Sequence, residues 1–334
     1  MREPTTLSSW TGALCRQLDS LGLDSQALCR AAGVQLPSAA QAPCRLPLSA
    51  TSRLWTLAVQ HSGNPALGLD TSRFVWPTTF HALGLAIVAS DNLLHVFQRI
   101  TRYYQVVTDA LAPTLQADGD SYLLSLRQPS DSAAPHPAAV DAFLAIYVRT
   151  CRQRLGRDYA PQAVLLRRPA PSDPSPWHNT FRAPVQFAAA VDGLRFARAD
   201  LLRPLADGHP QLAAHNEALL ERELALLQRP WSQRVEAQIS QHLAAGEPSA
   251  ERIAERLCVS LRSLQRHLHD EQRSFEQLLA STRQRLACEH LADPRLSISE
   301  VAYLLGFADS SSFSRAFRRW LGCSPSQWRA RQSS

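Results

Sequence analysis

Arg262, Gln265 and Arg266 stand at i, i+3 and i+4 in a stretch of helical periodicity, so the three share one face. An arginine can pair bidentately with guanine O6 and N7, and a glutamine with adenine N6 and N7, which makes this a plausible base-reading triplet. Later in the chain Ser310, Ser311 and Arg315 recur in a comparable setting, followed by Arg318 and Arg319. There Arg315 is the main candidate for specificity, and the serines are candidates for phosphate contacts. An arginine face on a helix is most often only a solvated face. The surrounding duplication argues for more.

That duplication is a helix-turn-helix pattern present twice. Ile253-Ala254 corresponds to Val301-Ala302, 48 positions on, while Leu264 and Leu268 correspond to Phe313 and Phe317, 49 positions on. One residue has been added in the turn. Ala254 and Ala302 are small enough to let a second helix cross close above each first one. The first unit is read as residues 249–269, with Ser260 capping its second helix and Leu261, Leu264 and Leu268 facing the core. The second is 298–321, with a turn at Gly306, a cap at Asp309, and Phe313, Phe317 and Trp320 or Leu321 facing inward. Between them, residues 275–291 form a continuous helix that fixes the distance between two readers. A spacing near one DNA turn, ~34 Å, would set both on one side of a duplex.

A second cluster is aromatic. Phe74, Trp76, Phe80, His81, Tyr103 and Tyr104 suit either an ordinary core or an effector pocket, with core the commoner outcome for such residues. The pocket reading names Trp76, Phe80, His81, Tyr103 and Tyr104, with Arg73, Arg99 or Arg102 to pair an anion. His267 and His269, two apart on a helix, cannot share a metal.

Composition bounds the rest. At 334 residues the chain suits two domains, and 45% hydrophobic content allows a sizeable core. All 35 basic residues are arginine against 29 acidic ones, a net charge of +6 that favours a polyanion without establishing one. The seven cysteines are scattered, with no CxxC or Cys/His cluster, so no cofactor or metal is expected and reduced cytosolic thiols are. No signal peptide or membrane-spanning run is evident, which gives a cytoplasmic, nucleoid-associated expectation. GxSxG, HExxH and P-loop motifs are missing, so an enzyme is not expected.

The elements that position these residues divide at 230/231. Residues 1–230 form a mixed α/β domain for sensing and association, with four or five short, mostly antiparallel strands and a connecting helix at 212–227. Its helices are read at 7–21, 24–32, from a cap at Ser49 to Gly63, at 81–89, 91–108 and 138–155. A loop covers 37–47, a hairpin joins 111–117 to 122–127, a strand lies at 163–168, a proline-broken stretch at 169–176, and short closing strands at 185–187 and 193–196. Residues 231–334 form an all-α domain holding both helix-turn-helix units.

The C-terminal residues closely resemble the AraC/XylS family of bacterial transcription regulators. The motifs are Ser260-x-x-x-Leu264-x-Arg266, Ser274-Phe275, Arg283-x-x-x-Ala287, Ile298-x-x-Val301-Ala302, Gly306-Phe307, Phe313-x-x-x-Phe317 and Gly322-x-x-Pro325. The resemblance implies that Arg262, Gln265, Arg266, Ser310, Ser311 and Arg315 enter the major groove. Gly68-Leu69, Leu83-Gly84-Leu85, Val185-x-Phe187 and Arg203-Pro204-Leu205 resemble the sensor domain of a subgroup without a cupin barrel. A bipartite duplex site, a small-molecule effector, RNA polymerase and a second copy of the chain are the implied partners, in an activator. Alternatives are a DNA-binding protein whose N-terminal domain only assembles, or a DNA alkyl-transfer repair protein using the same module. Two departures stand out: Cys258 in the first turn, and Gln272 where the family has glycine before Ser274-Phe275.

Overall fold

Trp10, Leu14 and Leu18 recur every four residues and are all buried, which fixes the inward face of the first helix in a computed structural model of the chain. The structure describes residues 3–37, 44–129, 133–246, 248–257 and 259–332. They separate into two units, Met1–Leu227 and Gln228–Ser334, the first mixed α/β and the second all helical.

The first unit opens with β1 (Thr5–Leu7), α1 (Ser8–Ser20), α2 (Ser25–Ala32), β2 (Arg45–Pro47), α3 (Leu48–Ser62), α4 (Leu67–Thr71), α5 (His81–Val88) and α6 (Leu93–Val107). It continues through β3 (Ala112–Asp118), β4 (Ser121–Arg127), α7 (Pro137–Leu155), β5 (Ala163–Leu165) and α8 (Ser175–Phe181). Then come β6 (Val185–Gln186), β7 (Asp192–Ala197), α9 (Arg198–Leu202) and α10 (Pro210–Gln228).

A five-stranded sheet has the order β3-β4-β7-β5-β6, and β1 pairs with β2 in a separate ribbon. Leu124, Val164, Leu194 and Phe196 are fully buried on it, and Phe97 of α6 stacks on Phe196 at 4.6 Å. Helix α7 is buried along most of its length because other elements cover it closely. At Gly68 of α4 an added Cβ would sit 2.0 Å from the Ala138 carbonyl oxygen, so only glycine permits that approach.

Several local expectations change. Ser49 does not cap α3: the helix begins at Leu48 after Pro47, and the Ser49 amide donates to the Glu3 carboxylate at 3.2 Å. The 37–47 loop ends in β2, because Arg45 is drawn to Asp109 and the Gln105 and Val106 carbonyls, beside β1; positions 38–43 lie outside the described residues. The proline-rich stretch gives way to α8, whose Trp177 is fully buried under the Arg168 guanidinium at 4.6 Å. The strand expected at 163–168 ends at Leu165. Strand β7 is central rather than closing, and β5 pairs with β6 in parallel. Seven strands stand among the described residues, more than expected, because two- and three-residue strands carry no readable periodicity.

The second unit comprises α11 (Trp231–His242), α12 (Ala250–Arg256), α13 (Leu261–Asp270), α14 (Phe275–Leu291), α15 (Ile298–Leu304), α16 (Ser310–Leu321) and α17 (Pro325–Gln332). It has two cores. Val235, Ile239, Ile253, Leu264, Leu268 and Leu278 form one, and Ala287, Leu291, Val301, Leu305, Phe313 and Phe317 the other. Helix α14 contributes to both.

Candidate DNA interface and effector cavity

Each reading helix is started by a side chain that accepts from the backbone. Ser260 Oγ accepts from the Ser263 amide at 3.1 Å, and Asp309 Oδ1 from the Ser312 amide at 2.7 Å. Their first helices are capped likewise, by Ser249 for α12 and by a Ser297/Glu300 capping box for α15. In the second turn Gly306 has φ 72°, and an added Cβ would lie 2.7 Å from the Leu243 carbonyl oxygen. The first turn contains Cys258, outside the described residues.

On α13, Leu264 and Leu268 are buried while Arg262, Gln265 and Arg266 are exposed on the opposite face. Leu261, expected in the core, is only half-buried and lies outside that cluster, since it begins the helix at the rim. His269 is exposed one heptad from Arg262 and shares its face; the sequence reading missed it, although that spacing was the available signal.

On α16, Phe313 and Phe317 are fully buried, with Trp320 and Leu321 half-buried beside them. Ser311, Arg315, Arg318 and Arg319 are exposed. At about 100° per residue these four span one face, whereas Ser310 lies about 140° from Arg315 and is half-buried. Ser310 is therefore turned away from the reading face, contrary to expectation. Arg315 is held by the Ser312 hydroxyl at 3.3 Å. Among the described residues Arg262, Arg266, Arg315, Arg318 and Arg319 form no ion pair, so this surface keeps its positive charge for another anion.

Helix α14 ties the two helix-turn-helix repeats together. At about 1.5 Å per residue its 17 residues span ~25 Å. Its Arg283, almost fully buried, donates from Nε to the Leu305 carbonyl at 3.2 Å and lies over the Phe307 ring at 4.7 Å.

In the first unit a cavity of about 150 Å³ opens between α5, α6, α7 and the segment before α5. Trp76, Phe80 and Tyr104 line it, with Leu83, Ile87, Ile100, Phe143 and Tyr147. His81 and Tyr103 do not. Tyr103 sits on the other face of α6 and donates to Glu221 of α10 at 2.7 Å; burial and that carboxylate push its phenol up to about 12. His81 occupies a strained backbone position, φ 51°, where the chain turns into α5. The arginines expected to meet an anion are already paired: Arg73 with Asp70, Arg99 with Glu217, Arg102 with Glu221. Two that sequence reading did not select, Arg149 and Arg154 of α7, line the cavity instead. Burial holds the Arg149 guanidinium below its ordinary range, and burial raises the Tyr104 and Tyr147 phenols. Gly84 forms part of the wall because a Cβ there would lie 1.8 Å from the Pro77 oxygen.

Comparison with known proteins places these features. A model of the arabinose-binding N-terminal domain of AraC transcription regulators matches residues 22–205, and a helix-turn-helix domain model matches 253–331. The ornithine utilization regulator of Pseudomonas aeruginosa is 31% identical over 328 residues, 96% of this chain and 95% of its own length. The chain belongs to the AraC/XylS family of transcription regulators. RipA of Corynebacterium glutamicum is 43% identical over 101 residues, 30% of each chain. The crystal structure of CdpR from Pseudomonas aeruginosa is 23% identical, covers 92% of this chain and 96% of its own, and has a TM-score of 0.44.

The AraC/XylS assignment makes the protein a sequence-specific DNA-binding transcription regulator and does not favour an alkyl-transfer role. Among the described residues no group of three His, Cys, Asp or Glu could hold a metal, and no helix is long and apolar enough to cross a membrane. The family's glycine position before Ser274 is occupied here by Gln272 at φ 55°, closing α13 with its amide on the His269 carbonyl at 2.8 Å. Gln272→Gly is expected to stabilise the protein by up to about 1 kcal/mol, relief of left-handed strain outweighing the added chain entropy, while Gln272→Val destabilises it. Urea unfolding of both variants checks the order.

Proposed function

We propose that the protein is an effector-responsive activator in which one chain reads two successive major-groove stretches. The observation that carries this is the pair of arginine-bearing faces on α13 and α16, unpaired by acids and joined by the continuous helix α14. Arg262, Gln265 and Arg266 read one half-motif, and Arg315, with Ser311, Arg318 and Arg319, the other. Ser260, the cap of α13, and Ser310, the first residue of α16, stand at the helix N-termini, where a phosphate is best held. The C-terminal unit serves DNA and the N-terminal unit serves sensing and assembly.

The effector site is the cavity beneath Trp76, lined by Phe80 and Tyr104. An aromatic and aliphatic lining with a few polar groups is the ordinary make-up of a small-molecule site. Ornithine, in the relative's name, would need carboxylates for its two ammonium groups, and no Asp or Glu lines this cavity. A bound effector changes how the protein engages RNA polymerase by favouring one of two conformations.

Self-association uses α10. Its Ala213, Asn216 and Leu220 are buried on one side, whereas Leu212, Leu219 and Leu226, spaced by seven, stay exposed on another. A heptad stripe of leucine suits pairing with a second copy of the same helix.

Arg266→Ala and Arg315→Ala should each cost about 1–3 kcal/mol at one base position and relax preference there, as read by binding to a randomised duplex library. Unchanged preference in both would remove α13 and α16 as readers. Leu219→Glu should turn a sedimenting dimer into a monomer; a dimer that survives it has its interface elsewhere.

A further inference from the structure

The cavity has a chemical polarity that narrows what it accepts. We propose that its ligand is an apolar monocarboxylate, an alkyl or single-ring body carrying one carboxylate, with the carboxylate set against Arg149. The proposal rests on reading this cavity as the effector site and adds the ligand class and the residue that selects it.

Three observations converge. First, the body of the cavity is mostly hydrocarbon, with Val75, Phe80, Leu83, Ile87, Ile100 and Phe143 among the residues of its wall. A volume of about 150 Å³ is of the size that holds one benzene ring in another protein's apolar cavity. A sugar, with a hydroxyl on nearly every carbon, would leave those groups unpaired against such a wall.

Second, Arg149 is a half-buried cation whose only hydrogen-bond partner among the described residues is the Ser72 backbone carbonyl. Among the described residues no carboxylate pairs with it, unlike Arg154 on the same helix, which meets Asp207 at 2.6 Å and the Ser90 carbonyl at 2.7 Å. A guanidinium kept from water without a counter-ion is costly, and an arriving carboxylate would compensate it with a forked pair of hydrogen bonds.

Third, unused hydrogen-bonding groups lie on lining residues. The Tyr104 and Tyr147 hydroxyls are buried beside each other with no other partner among the described residues, and the Arg154 Nε is buried without one. All three can donate, and an acceptor-only group such as carboxylate satisfies donors where an ammonium would repel the arginines. Trp76 and Val88, lining residues that are 56% and 44% exposed, form an apolar entrance at the solvent side.

Isothermal titration of the full-length protein with octanoate, octanamide and octylamine tests this. The three share one chain and differ in head-group charge. Octanoate should bind one per chain, about ten- to a hundredfold more tightly than octanamide, with octylamine not binding. Arg149→Gln should lower octanoate affinity to that of octanamide while octanamide binding persists, which also shows the variant is folded; Arg149→Lys should keep a preference for the anion. Ile87→Trp, confirmed as folded by circular dichroism, should fill the cavity and abolish binding of both. Equal affinity for octanoate and octanamide, an octanoate preference that survives Arg149→Gln, or no binding of any probe overturns the ligand class. Octanoate binding undiminished by Ile87→Trp overturns the reading of the cavity itself.

Discussion

The constraint on which the DNA-binding unit depends is a fixed separation between two helices that never pack on each other's cores. It is supplied by α14, whose ends are buried in different clusters, Leu278 in the first and Ala287 and Leu291 in the second. Arg283 completes it. Its guanidinium reaches the Leu305 carbonyl at the end of α15 and covers Phe307 in the second turn, so the second helix-turn-helix is locked to the linker by a buried charge-assisted contact. Without a helix anchored in both cores, two short helix-turn-helix repeats would tumble independently, and the gain from binding both half-motifs at once would shrink.

Within each unit the same division of labour repeats. Apolar residues four apart hold the reading helix down, a side-chain oxygen starts it, and the outer face carries arginines that form no ion pair among the described residues. The charges therefore contribute little to folding and remain available for phosphate and base edges. The N-terminal unit inverts this pattern around its cavity. There the arginines of α6 are consumed by Glu217 and Glu221 in clasping α10, while α7 brings Arg149 to an apolar wall with no acid to meet it.

Much of the C-terminal unit was legible because its signals are local. Caps at Ser260 and Asp309, the leucine and phenylalanine spacing, and the span of α14 are set by residues within a turn or two of one another. Gln272 was legible as a departure, and its positive φ is the geometry a glycine would have served. Ser310 was misplaced because a serine at the first helical turn reads as polar and outward, whereas the helix phase sets it beside Phe313 and Phe317.

The N-terminal unit was harder because its decisive contacts span long stretches of sequence. Tyr103 and Tyr104 are adjacent and chemically alike, yet helix phase sends one to Glu221 and the other to the cavity. Which of Arg99, Arg102, Arg149 and Arg154 is left without an acid depends on Glu217, Glu221 and Asp207, far away in the chain. Strands of two or three residues, such as β6, exist only through their partners.

Methylation interference on a high-affinity duplex bound by the full-length protein tests the central claim most directly. Premethylated guanine N7 groups that block binding should fall in two clusters per chain, about one helical turn apart on one face of the duplex. A single continuous cluster, or two clusters whose separation varies freely from site to site, would contradict a rigid two-reader unit.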